Sequence, residues 1–121
     1  ATIIASLQAD AGDPFLRHKT TKRRLYEAAF AEAGARGADE AILLNRSGFV
    51  TEATRSNIFV ERDGLLLTPP IADGLLPGIL RESLLRSGKA IERQLTPDDL
   101  VTAGRWYLGN SLRGLRPARM L

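Results

Sequence analysis

The stretch Ser56-Asn-Ile-Phe-Val-Glu-Arg-Asp-Gly-Leu-Leu-Leu-Thr68 constrains this chain more than any other. Two β-prone runs, 56–62 and 65–68, are separated by only Asp63-Gly64. A two-residue Asp-Gly loop suits a type I′ turn, so the runs are predicted to pair as an antiparallel hairpin with fixed register. The run Glu40-Ala-Ile-Leu-Leu-Asn45 upstream is continuously apolar at its centre. It reads as a buried strand turned by Arg46-Ser47-Gly48 into Phe49–Ala53. A chain organised around these segments needs helices to cover its sheet.

The rest supplies them. Thr2–Gln8 is β-branched and apolar, a strand, and residues 9–15 carry turn chemistry. Residues 20–34 read as a helix with Leu25, Ala28, Ala29 and Ala33 at helical spacing, stopped by Gly34 and Gly37. Pro69–Gly78 is a rigid loop, and 79–88 is a short helix ended by Gly88. Residues 90–95 read as a strand. Thr96 and Pro97 are the N-cap and first residue of another helix, and 105–111 read as the last strand. The expected fold is α/β, a mixed α+β unit of mixed strands with packed helices. It forms a single domain over 1–121, with no repeat, linker or low-complexity segment.

Composition narrows the function. The 121 residues are 44% apolar and 26% charged, with no cysteine and one histidine. That describes a globular domain without disulfides, thiolate sites or a His-rich metal centre. Nothing reads as a signal peptide or membrane span, and the expected compartment is the cytoplasm. The net charge of +3 rests on seventeen basic residues. The densest basic cluster is Lys19, Lys22, Arg23 and Arg24; a sparser set is Arg113, Arg116 and Arg119. Neither forms the long basic run of a nucleic-acid binder, so no nucleic-acid partner is expected. The chain begins at Ala1 with a strand already under way, and we expect a piece of a longer protein.

Four places carry chemistry. Lys19 is one of only three lysines and heads the first predicted helix. Cations at a helix N-terminus are disfavoured by the dipole, and a lysine, unlike an arginine, can form a Schiff base. Nearby cations would favour its neutral amine. The alternative is a solvated helix start. Glu52, in Thr-Glu-Ala-Thr-Arg-Ser-Asn, is either half of a surface ion pair with an arginine or the partner of a protonated pyridine nitrogen. Asn57 reads as a side chain that satisfies backbone. Pro77-Gly78 runs into a helix start, which is either an ordinary junction or a phosphate site built from free amides. Gly109-Asn-Ser-Leu-Arg-Gly114 offers a hydroxyl, an amide and an arginine. Together these match the aldehyde, ring nitrogen and phosphate of pyridoxal phosphate.

The ordered motifs Glu52-x4-Asn57-Ile-Phe59, Leu66-x-Thr-Pro-Pro70, and Leu75-Leu-Pro-Gly-Ile-Leu-Arg81 resemble those of the fold-type IV pyridoxal-phosphate enzymes. This group includes branched-chain and D-amino acid aminotransferases and 4-amino-4-deoxychorismate lyases. Asp13–Glu27, Ala38–Val60, Glu92–Leu100 and Asn110–Gly114 extend the resemblance to the lyase type, closest to lyase domains fused to an aminodeoxychorismate synthase component. The resemblance implies that Lys19 is the catalytic and Schiff-base lysine and that Glu52 binds the pyridine nitrogen. The amides of Gly78, Ile79 and Leu80 cradle phosphate and Ser111 adds a hydroxyl. The Leu112 amide faces the substrate carboxylate.

Two departures bear on the reaction. Leu80 stands where transaminases often have threonine. Asn110-Ser111-Leu112 replaces the Gly-Thr-Ala of branched-chain transaminases, which favours a lyase. The implied activity is elimination from aminodeoxychorismate to 4-aminobenzoate, a folate precursor, and pyruvate. The alternatives are a class IV aminotransferase and an inactive domain fragment. The resemblance covers only the larger, C-terminal domain of the D-amino acid aminotransferase-like architecture. It therefore implies a missing N-terminal domain that supplies an arginine to the phosphate. The expected partners are that domain, a small-molecule substrate and a second copy in a homodimer.

Overall fold

The computed structural model describes the backbone of residues 2–8 and 19–22 and the whole of residues 23–121. The predicted turn at 9–15, His18 and the side chain of Lys19 lie outside the described residues. The elements run β1 (Thr2–Gln8), α1 (Lys19–Ala35), β2 (Glu40–Leu44), β3 (Val50–Ala53), β4 (Asn57–Arg62) and β5 (Leu65–Thr68). They continue as α2 (Ile79–Arg86), β6 (Ala90–Glu92), α3 (Pro97–Thr102), β7 (Arg105–Asn110) and β8 (Gly114–Pro117). A 3₁₀ turn, Ile71–Asp73, precedes α2. Among the described residues no helix is long and apolar enough to cross a membrane.

The strands form two sheets, ordered β1-β2-β3 and β6-β5-β4-β7-β8. Parallel pairs (β1 with β2, β5 with β6) and antiparallel pairs (β2/β3, β4/β5, β4/β7, β7/β8) occur in both, as a mixed architecture requires. The Asp63-Gly64 hairpin forms as its sequence dictates. Arg62 pairs with Leu65, and both turn residues have positive φ, 53° and 80°, as a type I′ turn needs.

β2 shows why a continuous apolar strand was needed. Ile42 joins Val50, Ile58, Val60, Leu67 and Trp106 in the core between the sheets. Its neighbours Ala41 and Leu43 point the other way, against Ala29 and Ala33 of α1. Alternating side chains thus serve two different cores. Of the residues expected on the inner face of α1, Ala29 and Ala33 are fully buried, whereas Leu25 is half-buried and Ala28 is exposed. The buried face is a narrow small-residue stripe that lets the helix approach β2 closely.

Three expectations are corrected. The strand expected over 90–95 pairs only at Ala90–Glu92, because Leu95 instead bridges Val50 and ties the sheets together. The β4 strand begins at Asn57 rather than Ser56, whose hydroxyl donates to the Glu40 carboxylate on β2. The strand at 105–110 is followed by β8, whose backbone completes the sheet edge although its side chains alternate between half-buried and exposed. Thr96 caps α3 as expected, and Asp99 returns the bond in a full capping box.

Gly109 on β7 sits where α2 meets the sheet. A Cβ there would meet Leu115 Cδ2 and Phe59 Cε2 at 2.9 Å and Leu80 Cδ2 at 3.0 Å. Gly109→Ala should therefore cost about 1–3 kcal/mol by overpacking. A lowered urea midpoint with unchanged slope would report it, and an unchanged midpoint would show that α2 can move aside freely.

Candidate active site

Glu52 lies on β3 opposite Leu43 and is only 5% exposed. The carboxylate therefore lies inside the protein rather than on its surface. Its Oε2 accepts a hydrogen bond from the Tyr26 hydroxyl on α1 and another from the Leu76 N–H at 3.1 Å. Burial, then the Glu52 charge, then the hydrogen bond itself push the Tyr26 phenol far above its ordinary pKa. Tyr26 therefore stays a neutral donor.

Leu76 is gripped at both ends of its backbone. Glu52 takes its N–H, and Asn57 Nδ2 donates to its carbonyl at 3.0 Å. Asn57 thus satisfies backbone, as its position suggested. Its Oδ1 also lies 2.6 Å from where a Gly78 Cβ would be. Only a glycine lets the loop pass this close to β4. The carboxylate of Glu52 and the start of α2 are consequently parts of one rigid arrangement.

Gly78 is the N-cap of α2 and offers no side-chain cap; the first bond of the helix runs from Glu82 N–H to the Gly78 carbonyl at 3.0 Å. The amides at 78–81 therefore lack intrahelical acceptors and face outward at the positive end of the helix dipole. The helix is anchored from below by Arg81, 1% exposed. Its guanidinium pairs with Glu82 and Glu92, each at 2.6 Å, and donates to the Pro69 carbonyl at 3.0 Å. Neither Tyr26 nor Arg81 was picked out from sequence. Tyr26 follows Lys19 by two helical turns, a spacing that could have flagged it. Arg81 carried no signal beyond its place in the motif.

Ser111 lies in the exposed turn between β7 and β8. This turn sits at the Asn57 end of β4, because Asn57 pairs with Gly109, and Leu80 packs there too. Asn110 fixes the turn from both sides. Its Nδ2 reaches the Arg55 carbonyl at 3.1 Å and Ser56 Oγ at 3.3 Å, while its Oδ1 accepts from Leu112 N–H at 3.1 Å and Arg113 N–H at 2.8 Å. The Leu112 amide, expected to meet a substrate carboxylate, is thus already engaged inside the turn. Arg116 of the sparser basic set is committed to buried Glu40 at 3.2 Å. Glu40 also holds Ser56 Oγ and the Arg55 amide.

The structure therefore gathers Glu52, the first turn of α2 and the Ser111 turn at one end of β4 and β7. Lys19 is the first residue of α1, the helix whose Tyr26 reaches Glu52. This donor set fits a ligand with a basic ring nitrogen and a phosphate. The buried carboxylate suits the nitrogen, and the open amides behind a bare glycine suit the anion.

Comparison with known proteins agrees with that reading. The profile of the family described as "Amino-transferase class IV" matches residues 1–121. A "Putative aminodeoxychorismate lyase" of Schizosaccharomyces pombe is 36% identical over 106 residues, covering 84% of this chain and 46% of that protein. The crystal structure of a "Putative amino-acid aminotransferase" from Mesorhizobium loti superposes with TM-score 0.90 at 43% identity, over 99% of this chain and 58% of that one. A branched-chain amino acid aminotransferase from Thermobaculum terrenum, solved in its PLP form, has TM-score 0.85 and 26% identity, over 98% of this chain and 42% of that one. The chain spans about a third to a half of the curated relatives it matches.

Proposed function

The chain belongs to the amino-transferase class IV family, and from that membership we propose that it is the C-terminal, cofactor-binding domain of a two-domain 4-amino-4-deoxychorismate lyase. The cofactor is pyridoxal phosphate, which supplies an electron sink for a carbanion when bound. Lys19 provides the amine that carries it. Glu52 meets its ring nitrogen, and the Gly78, Ile79 and Leu80 amides with the Ser111 hydroxyl meet its phosphate. The absent domain is expected to add an arginine to the phosphate. Leu76, Ile79 and Leu112, 47%, 78% and 89% exposed, suit packing against that domain or against a second copy in a homodimer.

Lys19, as a free amine, removes the proton from the carbon bearing the substrate's amino group. Glu52 keeps the ring nitrogen protonated, so the charge left behind can be taken up. Lys19 then returns a proton to the departing enolpyruvyl group. That group leaves as pyruvate, the carbocycle becomes aromatic, and 4-aminobenzoate is released.

The Asn110 turn is the observation that carries the lyase reading. Branched-chain transaminases carry Gly-Thr-Ala at this place in the final loop, where this chain has Asn110-Ser111-Leu112. Here Asn110 Oδ1 occupies the Leu112 and Arg113 amides. The resemblance to the fission-yeast protein supports the same reading. A transaminase acting on a small amino acid is the second reading. It is favoured by the branched-chain aminotransferases among the relatives, such as the 30% identical enzyme of Escherichia coli.

The two differ in their need for an acceptor. The intact protein should form 4-aminobenzoate and pyruvate from aminodeoxychorismate with no added keto acid. Turnover that requires 2-oxoglutarate or pyruvate as acceptor would establish the transaminase.

A further inference from the structure

Glu52 is not held by its own strand alone. Its Oε2 takes one donor from α1, the Tyr26 hydroxyl, and one from the loop before α2, the Leu76 N–H at 3.1 Å. Two donors from separate elements on one oxygen fix where the carboxylate sits. Both also favour its charged form, because a hydrogen bond to an anion is stronger than one to a neutral acid. Tyr26 remains a donor throughout the ordinary pH range, since burial and the Glu52 charge both oppose its ionisation.

A proton shared between a carboxylate and a pyridine nitrogen resides on the stronger base. Each donor to the carboxylate weakens it as a base and leaves the proton on the ring. We propose that Tyr26 is a positioning residue for the cofactor ring: by donating to Glu52 Oε2 it holds that carboxylate in the place and charge state that keep the ring nitrogen protonated. The inference rests on the cofactor assignment above. It also accounts for the residue type. The ring of Tyr26 packs beside the Ala29, Ala33, Ala41 and Leu43 cluster, a role phenylalanine would fill equally well. Only the hydroxyl reaches Glu52.

The test compares Y26F, E52Q and the double variant in the holoenzyme, loaded with cofactor labelled with ¹⁵N in its ring and read by NMR at one pH. Y26F should move the ring-nitrogen signal toward that of an unprotonated pyridine. E52Q should move it at least as far, and the double variant no further than E52Q. A structural role for Tyr26 would leave the signal in place. In the cofactor-free protein, Y26F should lower the folding equilibrium about fivefold more in the wild-type background than in E52Q. That is the difference between a charge-assisted and a neutral hydrogen bond. If wild-type protein takes up no cofactor, the proposed function fails and the inference with it. If it takes up cofactor and Y26F leaves the signal unmoved, or moves it equally in the E52Q background, the inference alone fails.

Discussion

Lys19→Ala should abolish the borohydride-stable cofactor adduct of the intact protein and lower turnover by at least about 10³- to 10⁴-fold, the range expected when both a nucleophilic amine and an acid–base group are removed. Few other side chains could replace it. The chain has fourteen arginines, which cannot form an imine, and two further lysines. Lys89 follows the C-terminal end of the eight-residue helix α2, whose N-terminus is the proposed phosphate cradle. A helix of that length places the two ends about 12 Å apart. Lys22, three residues along α1, shares a helix face with Lys19 and is the neighbour that the mapping has to distinguish from it. Peptide mapping of the trapped adduct checks the assignment, and a label on Lys22 or Lys89 would sink it.

The second large effect is expected at Glu52. Glu52→Gln should leave the adduct on Lys19 but slow proton removal by roughly 10- to 100-fold, the worth of one charge-assisted hydrogen bond of about 1.5–3 kcal/mol. The substitution keeps size and removes charge. It also sets an amide against two donors, the Tyr26 hydroxyl and the Leu76 N–H, that now converge on a carboxylate oxygen. Single-turnover rates would measure it. A change within about threefold, less than ~0.7 kcal/mol in barrier, would mean that Glu52 only braces the loop before α2.

Much of this molecule was legible from local signals, because those signals act over a few residues. The Asp63-Gly64 turn, the Thr96 cap, the Gly78-to-α2 junction and the buried strand β2 all formed where the sequence put them. Backbone stereochemistry and side-chain period decide such features without help from the rest of the chain. The candidate residues could be named from an ordered set of motifs, since each motif carries its own chemistry.

Tertiary structure decided what joins them. That Glu52 is buried, that it shares an oxygen with Tyr26 from 26 residues upstream and Leu76 from 24 downstream, and that Asn57 holds the other side of Leu76 are long-range facts. They depend on how α1 and the α2 loop pack on the two sheets, and no local propensity contains them. β8 shows the same limit from the other side. Its residues have weak strand character and half-exposed faces, yet they pair because β7 offers an open edge. The closed Asn110 turn likewise arises only when β7 meets β4, which brings Arg55 and Ser56 within reach of Nδ2 and leaves Oδ1 to take the turn's own amides. The sequence alone determined which chemical groups are present and in what order. Which donors those groups spend on one another, and which remain for a ligand, was decided by packing, because hydrogen bonds between distant segments exist only once the sheets and helices have closed around them.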